Sequence, residues 1–259
     1  MIFMHIVFNI KALGNEGGGA ERVLVNVASG LFNRGHEITI ITSDSKDSSI
    51  YYNINDGIKI IKLGIGSVDA KSNIRDIVDR IIKFRLIIKN INPDIVVSFM
   101  HSSFLLTGIA LIGTRIPMIA SEHAPPEHYR NHFFQKLMIQ ITPFIAAKIT
   151  VVSNQIFNSY GWWLRRRMSV VLNPVITQTS KIKSDPRIMQ SSLKTILSVG
   201  RLGPEKNHRC LISAFAIVSP VYPNWCLRIV GEGMLRADLE AQTRSLGLQD
   251  KVYFPGAIS

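Results

Sequence analysis

The chain has 259 residues, 46% hydrophobic and 19% charged, proportions that exclude an intrinsically disordered protein. Its formal charge of +12, with a pI near 9.9, asks for an anionic partner: nucleic acid, a phosphorylated small molecule or an anionic membrane surface. Two cysteines, Cys210 and Cys226, lie in apolar segments without CxxC spacing; they exclude a disulfide framework and a thiol metal site, and read as small buried core residues.

In chain order, MIFMHIVFNI lacks the basic n-region of a secretory signal, and its apolar run stops at Lys11 rather than at a cleavage site. Apolar runs of strand length follow at 2–10, 37–42, 58–63, 94–100, 118–121, 148–153 and 170–173. Segments of helical period separate them. In AERVLVNVASGLFNRG, Val23, Leu24, Val27, Ala28 and Leu31 repeat along one face, and Gly35 ends the helix. β-Branched strands alternating with amphipathic helices predict a parallel sheet covered on both sides. The stretches LLTGIALIGTRIPMIA and MIQITPFIAAKITVVS are each broken by proline and a cation, and fall short of the ~20 residues that span a bilayer.

After Asn173-Pro174 the pattern lapses into the polar VITQTSKIKSDPRIMQSS, a linker by composition. Alternation restarts with TILSVG, a helix near 208–218, WCLRIVG, a helix near 234–246, and VYF. The expected organisation is an α/β protein of two Rossmann-type domains, residues 1–178 and 194–259, joined by a linker at 179–193. The second domain has only three strands and two helices, too few for a comfortable doubly wound sheet.

Ligands of open parallel sheets bind at the carboxyl ends of strands, and three loops there carry chemistry. NEGGGAER places Gly17, Gly18 and Gly19 before a helix N-terminus, where bare backbone can approach an anion. It is neither a dinucleotide fingerprint, whose third glycine would fall on Arg22, nor a P-loop. A plain reversal of direction explains it as well as a phosphate contact does. SVGRLGPEKNH puts Arg201 and Lys206 on one turn, with Asn207 placed to cap the next helix. Two cations beside a positive helix end make sense around a bound diphosphate, with arginine supplying a fork and lysine a point charge; a solvated surface loop, with Glu205 pairing a neighbour, is the alternative. VGEGMLRADLE offers Gly231, Glu232 and Gly233 as the border of a nucleotide, although Arg236 stands where a third glycine would complete a Rossmann signature. Among histidines, His123 in ASEHAPPEH and His101 in SFMHSS both follow strands. Either a sugar hydroxyl or positive charge developing at an anomeric carbon is a suitable target for such a ring; a backbone-capping role is the alternative.

These pieces together resemble glycosyltransferase family 4, the group 1 retaining enzymes of two-domain GT-B fold. The resemblance rests on GGGAERVLVNVASGLFNRGHEITIIT, VVSNQIFNSYG, VVLNPV, SVGRLGPEKNHRCLISAF and IVGEGMLRADLEAQTRSLGLQDKVYFPG. It implies that Gly17, Gly18 and Gly19 lie against the donor diphosphate and sugar, that Arg201 and Lys206 neutralise the diphosphate, and that His123 stands near the donor sugar. It also implies a further segment, after the last strand, with two glutamates eight positions apart and a final helix. Neither matches this sequence, so the resemblance implies truncation at the C-terminal end.

The expected activity is transfer of a hexosyl unit from a nucleotide-diphosphate sugar, UDP-linked, to a polysaccharide or lipid-linked glycan, as in lipopolysaccharide biosynthesis. No cofactor or metal is called for. The alternatives are a nucleotide-sugar epimerase of the same fold and a non-catalytic remnant that only binds nucleotide. Nucleic acid is suggested by charge alone, with no recognised module. SYGWWLRRRMS and HYRNHFFQK join aromatic residues to cations; either alone reads as a solvated helix end with partly buried rings, but together with the net charge they point to peripheral attachment on the cytoplasmic face of an anionic membrane.

Overall fold

A computed structural model describes residues 3–14, 18–65, 73–129, 133–174 and 193–257. The expected linker, apart from Leu193, and Gly17 with it, lie outside the described residues. The protein divides into two compact units, Met1–Thr177 and Gln178–Ser259.

Unit 1 is built on a seven-stranded parallel sheet of order β3-β2-β1-β4-β5-β6-β7. Its strands are β1 (His5–Ile10), β2 (Glu37–Thr42), β3 (Lys59–Lys62), β4 (Ile95–Phe99), β5 (Met118–Glu122), β6 (Lys148–Val151) and β7 (Met168–Val170). Side chains alternate across a strand, and β1 shows the consequence. Val7 joins a core with Phe84, Ile88 and Phe104, from α2 (Ile74–Ile91) and α3 (His101–Leu111). Its neighbours Ile6, Phe8 and Ile10 join a second core with Leu24, Val25 and Ala28 of α1 (Gly19–Phe32). Each fully buried Phe, Leu or Ile contributes about 1.5–3 kcal/mol, so the helices on both faces are tied to the sheet by its period-two pattern. The helix α4 (Phe133–Ile145) packs through Ile139 on the α2–α3 side, and the short α5 (Asn154–Ser159) and α6 (Trp162–Arg165) accompany β7.

Local sequence sets the helix ends. The Asn73 side chain accepts the Asp76 N–H at 2.7 Å, and Ser153 accepts the Ile156 N–H at 3.2 Å, each satisfying an orphan donor of a first turn. Asn92 closes α2 in the left-handed region, φ 47°, which asparagine tolerates. The last strand differs from the expected 170–173. It runs Met168–Val170 because β6 ends at Val151, whose partner is Val170; beyond it only the Val171 N–H still reaches the Val151 carbonyl.

Unit 2 holds a three-stranded parallel sheet, β10-β9-β8, from β8 (Lys194–Val199), β9 (Trp225–Val230) and β10 (Val252–Gly256). The helices α7 (His208–Val218) and α8 (Arg236–Ser245) contribute Ile212, Phe215 and Leu239 to a core with Leu227 and Ile229. The expectation of two buried thiols holds for Cys226 alone; Cys210 is exposed. It lies two residues before Ile212, about 200° around α7 from that buried position.

Candidate functional site

At the carboxyl end of β5 the backbone turns on an acid. Glu122 is fully buried, and its Oε1 accepts the backbone N–H groups of His123 at 2.9 Å and Ala124 at 2.8 Å. Burial pushes its carboxyl up to about 7, against the pull of the Ala124 amide, the Tyr129 hydroxyl and the His123 amide. Its Oε2 lies 4.0 Å from Nδ1 of His101, and that nitrogen shares a 2.9 Å hydrogen bond with the Tyr129 hydroxyl. The Tyr160 hydroxyl donates to the Ala124 carbonyl at 3.1 Å. Burial raises the pKa of both tyrosines, so both stay as phenols. A buried network thus holds the turn that presents His123.

The His123 ring stacks on Phe99, centroids 5.1 Å apart and planes 25° from parallel. Its Nε2 is 3.1 Å from Ser121 Oγ, which accepts from Thr150 Oγ1 at 3.1 Å. The ring borders a cavity of about 330 Å³ whose walls include Phe8, Val97, Phe99, Ile119 and Leu172. Burial lowers the imidazole pKa to about 4, leaving the ring neutral at pH 7. In this setting His123 is a hydrogen-bonding group and not a resident cation.

His101 opens α3 and faces elsewhere. It borders a cavity of about 700 Å³ together with Asn9, Lys11, Ser43, Arg80 and Met138. The residue before it, Met100, has φ 66° and ψ 142°, a region nearly reserved for glycine and worth roughly 1–3 kcal/mol of strain. A 3.0 Å bond from the Met100 N–H to the Ser121 carbonyl holds it there. The structure therefore brings both candidate histidines to Glu122 but assigns their rings to different cavities.

The sequence reading carried Glu122 only as a letter of ASEHAPPEH and missed Tyr129 and Arg80. Arg80 is buried and donates through Nε (2.9 Å) and Nη2 (2.6 Å) to the Ile65 carbonyl. Its signal was available, since Arg80, Phe84 and Ile88 share one face of α2 at intervals of four.

Of the glycine-rich loop, Gly18 precedes α1 in extended conformation, and its carbonyl accepts from the Tyr52 hydroxyl at 2.7 Å. Gly19 is the first helical residue, and a Cβ built there would meet nothing within 4 Å. The Gly18 position has no side-chain cap to offer this N-terminus.

In unit 2, β8 leads into a turn at 200–203 and a 3-10 turn at Pro204–Lys206. Arg201 and Lys206 are both exposed, and among the described residues neither has an acidic partner. Asn207 departs from expectation. It precedes α7 in the left-handed region, φ 49°, and its side chain makes no capping bond. The 3-10 turn closes on it, through the Asn207 N–H to the Pro204 carbonyl at 3.2 Å.

Gly231 and Gly233 serve this turn directly. With φ 146° and 156°, they would set a Cβ 2.1 Å from the Gly200 carbonyl oxygen and 2.7 Å from that of Leu202. The Leu202 N–H donates to the Glu232 carbonyl at 2.8 Å. The missing side chains thus let two strand-end loops pack backbone to backbone. The Glu232 carboxylate is taken by Arg236, which also binds Glu240 at 2.9 Å and the Phe254 carbonyl at 2.8 Å.

Comparison with known proteins agrees with this architecture. Residues 17–179 match the model of Glycosyltransferase Family 4, and residues 182–259 that of Glycosyl transferases group 1. The chain is 29% identical over 259 residues to a Campylobacter jejuni protein, the GalNAc-alpha-(1->4)-GalNAc-alpha-(1->3)-diNAcBac-PP-undecaprenol alpha-1,4-N-acetyl-D-galactosaminyltransferase; the alignment covers 98% of this chain and 68% of that one. Among solved structures, sucrose-phosphate synthase from Thermosynechococcus elongatus superposes with a TM-score of 0.82 at 15% identity, over 98% of this chain and 71% of the other. Anabaena HepE in complex with UDP and glucose gives 0.70 at 16% identity, over 99% and 70%. These two show the shared GT-B fold. With a family model across each unit and a relative of the same class aligned along nearly all of its residues, this chain belongs to Glycosyltransferase Family 4 and is a glycosyltransferase.

Proposed function

We propose that the enzyme moves a hexosyl unit from a UDP-linked donor to a polysaccharide or lipid-linked glycan, with retention of anomeric configuration. The observation that carries the reading is the turn after β8, where Arg201 and Lys206 stand exposed without acidic partners among the described residues. Two uncompensated cations on one short turn suit a diphosphate leaving group. Arg201 offers a planar fork to two oxygens and Lys206 a movable point charge, and both gain as negative charge grows on the departing oxygen. They supply the charge for which a divalent metal is otherwise used, so the reaction needs none.

Gly231 and Gly233 contribute by letting this turn pack, and Glu232 by the Arg236 pair that fixes its strand end. In unit 1, Gly17, Gly18 and Gly19 let the backbone approach the donor. His123, kept neutral by burial, hydrogen-bonds a hydroxyl of the transferred sugar. The choice of UDP and of a lipid-linked acceptor is supported by the names of the relatives: HepE is seen with UDP and glucose, and the Campylobacter protein's name carries an undecaprenol-linked glycan. A lipid-linked acceptor places the work at a cytoplasmic membrane face.

Calorimetry of UDP binding to the full protein, followed by a panel of labelled UDP-sugars with membrane extract, tests the proposal. Heat with UDP, label in the extract and an unchanged anomeric configuration by NMR are expected, with or without a chelator. Absence of heat overturns the donor site. Turnover of a UDP-sugar without any acceptor replaces transfer by epimerisation.

A further inference from the structure

We infer that the outer side of α4 and the α6 turn form a single docking surface for an anionic lipid bilayer; the transferase reading enters only in making a bilayer the occupant sought. Successive residues of a helix are ~100° apart, so Phe133, Leu137 and Phe144 lie along one stripe of α4. The core residue Ile139 lies on the other side. Phe133 is 73% exposed, Phe134 75% and Phe144 74%. This stripe does not end with the helix. The Phe144 ring is 5.7 Å from that of Trp163, which is 6.1 Å from Trp162, itself 64% exposed. Two segments that the sequence keeps apart become one aromatic patch.

Cations border the patch. The Arg166 guanidinium lies 5.9 Å from the Trp162 ring centroid and Arg165 is 6.0 Å from Phe157; Lys136 and Arg167 are exposed. From residue 128 to residue 184 the sequence holds eight Lys and Arg and no Asp or Glu. That stretch alone accounts for eight of the net twelve positive charges. Exposed rings beside cations that make no ion pair among the described residues match the lipid–water boundary, where aromatic rings take the headgroup level and cations the anionic phosphates. A second copy fits badly, because an isologous contact would set this basic face against itself.

The same helix connects the patch to the large cavity of unit 1. Gln135 and Met138 line that cavity, and around the helix Phe134 falls between Met138 and the exposed stripe. A bilayer resting on α4 therefore lies on the same helix that lines this cavity.

The test is co-sedimentation of the full protein with vesicles of phosphatidylcholine alone or mixed with phosphatidylglycerol. Retention on the mixed vesicles only, weakened by salt, is expected. Arg165→Gln and Arg166→Gln should each lower it about fivefold, and the pair Phe144→Ser with Trp163→Ser should abolish it. In a Trp225→Phe background, emission should shift to the blue on binding, since only Trp162 and Trp163 then report. Equal retention on both vesicles, or wild-type retention by all variants, overturns the inference. So does displacement from vesicles by single-stranded RNA, or concentration-dependent dimers that the Phe144/Trp163 variant loses. UDP calorimetry on the same samples separates the two readings: vesicle binding without UDP heat sinks the donor site and leaves the surface standing, and the converse sinks the surface alone. Arg165, Arg166, Phe144 and Trp163 lie on the surface patch, Trp225 lies in unit 2, and circular dichroism confirms that each variant is folded.

Discussion

Glu122 accepts a hydrogen bond from the backbone of His123 at 2.9 Å, while burial displaces the acid constants of the two side groups in opposite directions. Glu122 rises from 4.5 to about 7 and His123 falls from 6.5 to about 4. Desolvation, acting on an acid and on a base, keeps both neutral between about pH 4 and about pH 7.

Opposed slopes of stability against pH should follow. The raised Glu122 contributes stability that is present below pH 4.5 and lost as pH rises through about 7. The depressed His123 contributes stability that is present above pH 6.5 and lost as pH falls through about 4. Each displacement corresponds to on the order of 3 kcal/mol, so in the intact protein they nearly cancel between pH 4.5 and 6.5. Glu122→Gln keeps the amide acceptor and should leave stability rising with pH across that window. His123→Asn should leave it falling. Urea denaturation across the window reads both; parallel curves for the two variants would contradict the assignment.

Arg201→Ala and Lys206→Ala should each weaken UDP binding about tenfold or more, the range of a charge-assisted hydrogen bond of ~1.5–3 kcal/mol. Thermal midpoints should stay near that of the parent, because among the described residues neither cation has an acidic partner to abandon. Calorimetry and a melting curve on the same samples separate the effects.

The glycines should divide into two kinds. Gly231→Ala drives a methyl to 2.1 Å from the Gly200 carbonyl oxygen at φ 146°, and should cost at least ~3 kcal/mol in denaturant. Gly19→Ala enters empty space at a helix start, so stability should hold or rise by a few tenths of a kcal/mol. Its sugar transfer should fall sharply if bare backbone approaches the donor there. Unchanged turnover would remove Gly19 from the site.

His208 is buried, with neither ring nitrogen hydrogen-bonded among the described residues, an arrangement that costs roughly 1–3 kcal/mol. His208→Leu should therefore raise the urea midpoint without changing the slope of the transition. A loss of more than about 1 kcal/mol would show that the ring has a partner in solution.

Short-range pattern was legible before any coordinates. Runs of β-branched residues and the repeat through Val23, Leu24, Val27, Ala28 and Leu31 were enough for a parallel α/β fold. The fragments around Gly18 and Arg201, taken with LGLQDKVYFPG, were enough for the resemblance to the family. Elements are set within a few residues, and their periods survive in any packing that buries them. Errors came where a neighbour in space intervenes: β7 ends where β6 runs out of partners, Asn207 is turned by the 3-10 bend before it, and Cys210 falls on the wet side of α7.

The remainder came from packing. It sent His101 and His123 to separate cavities, spent the empty space of Gly231 and Gly233 on the backbone of residues 200 and 202, and set Phe144 against Trp163. Each is a meeting of atoms that the sequence keeps apart, governed by how strands and helices stack, and such distances leave no mark in the local spacing of residues.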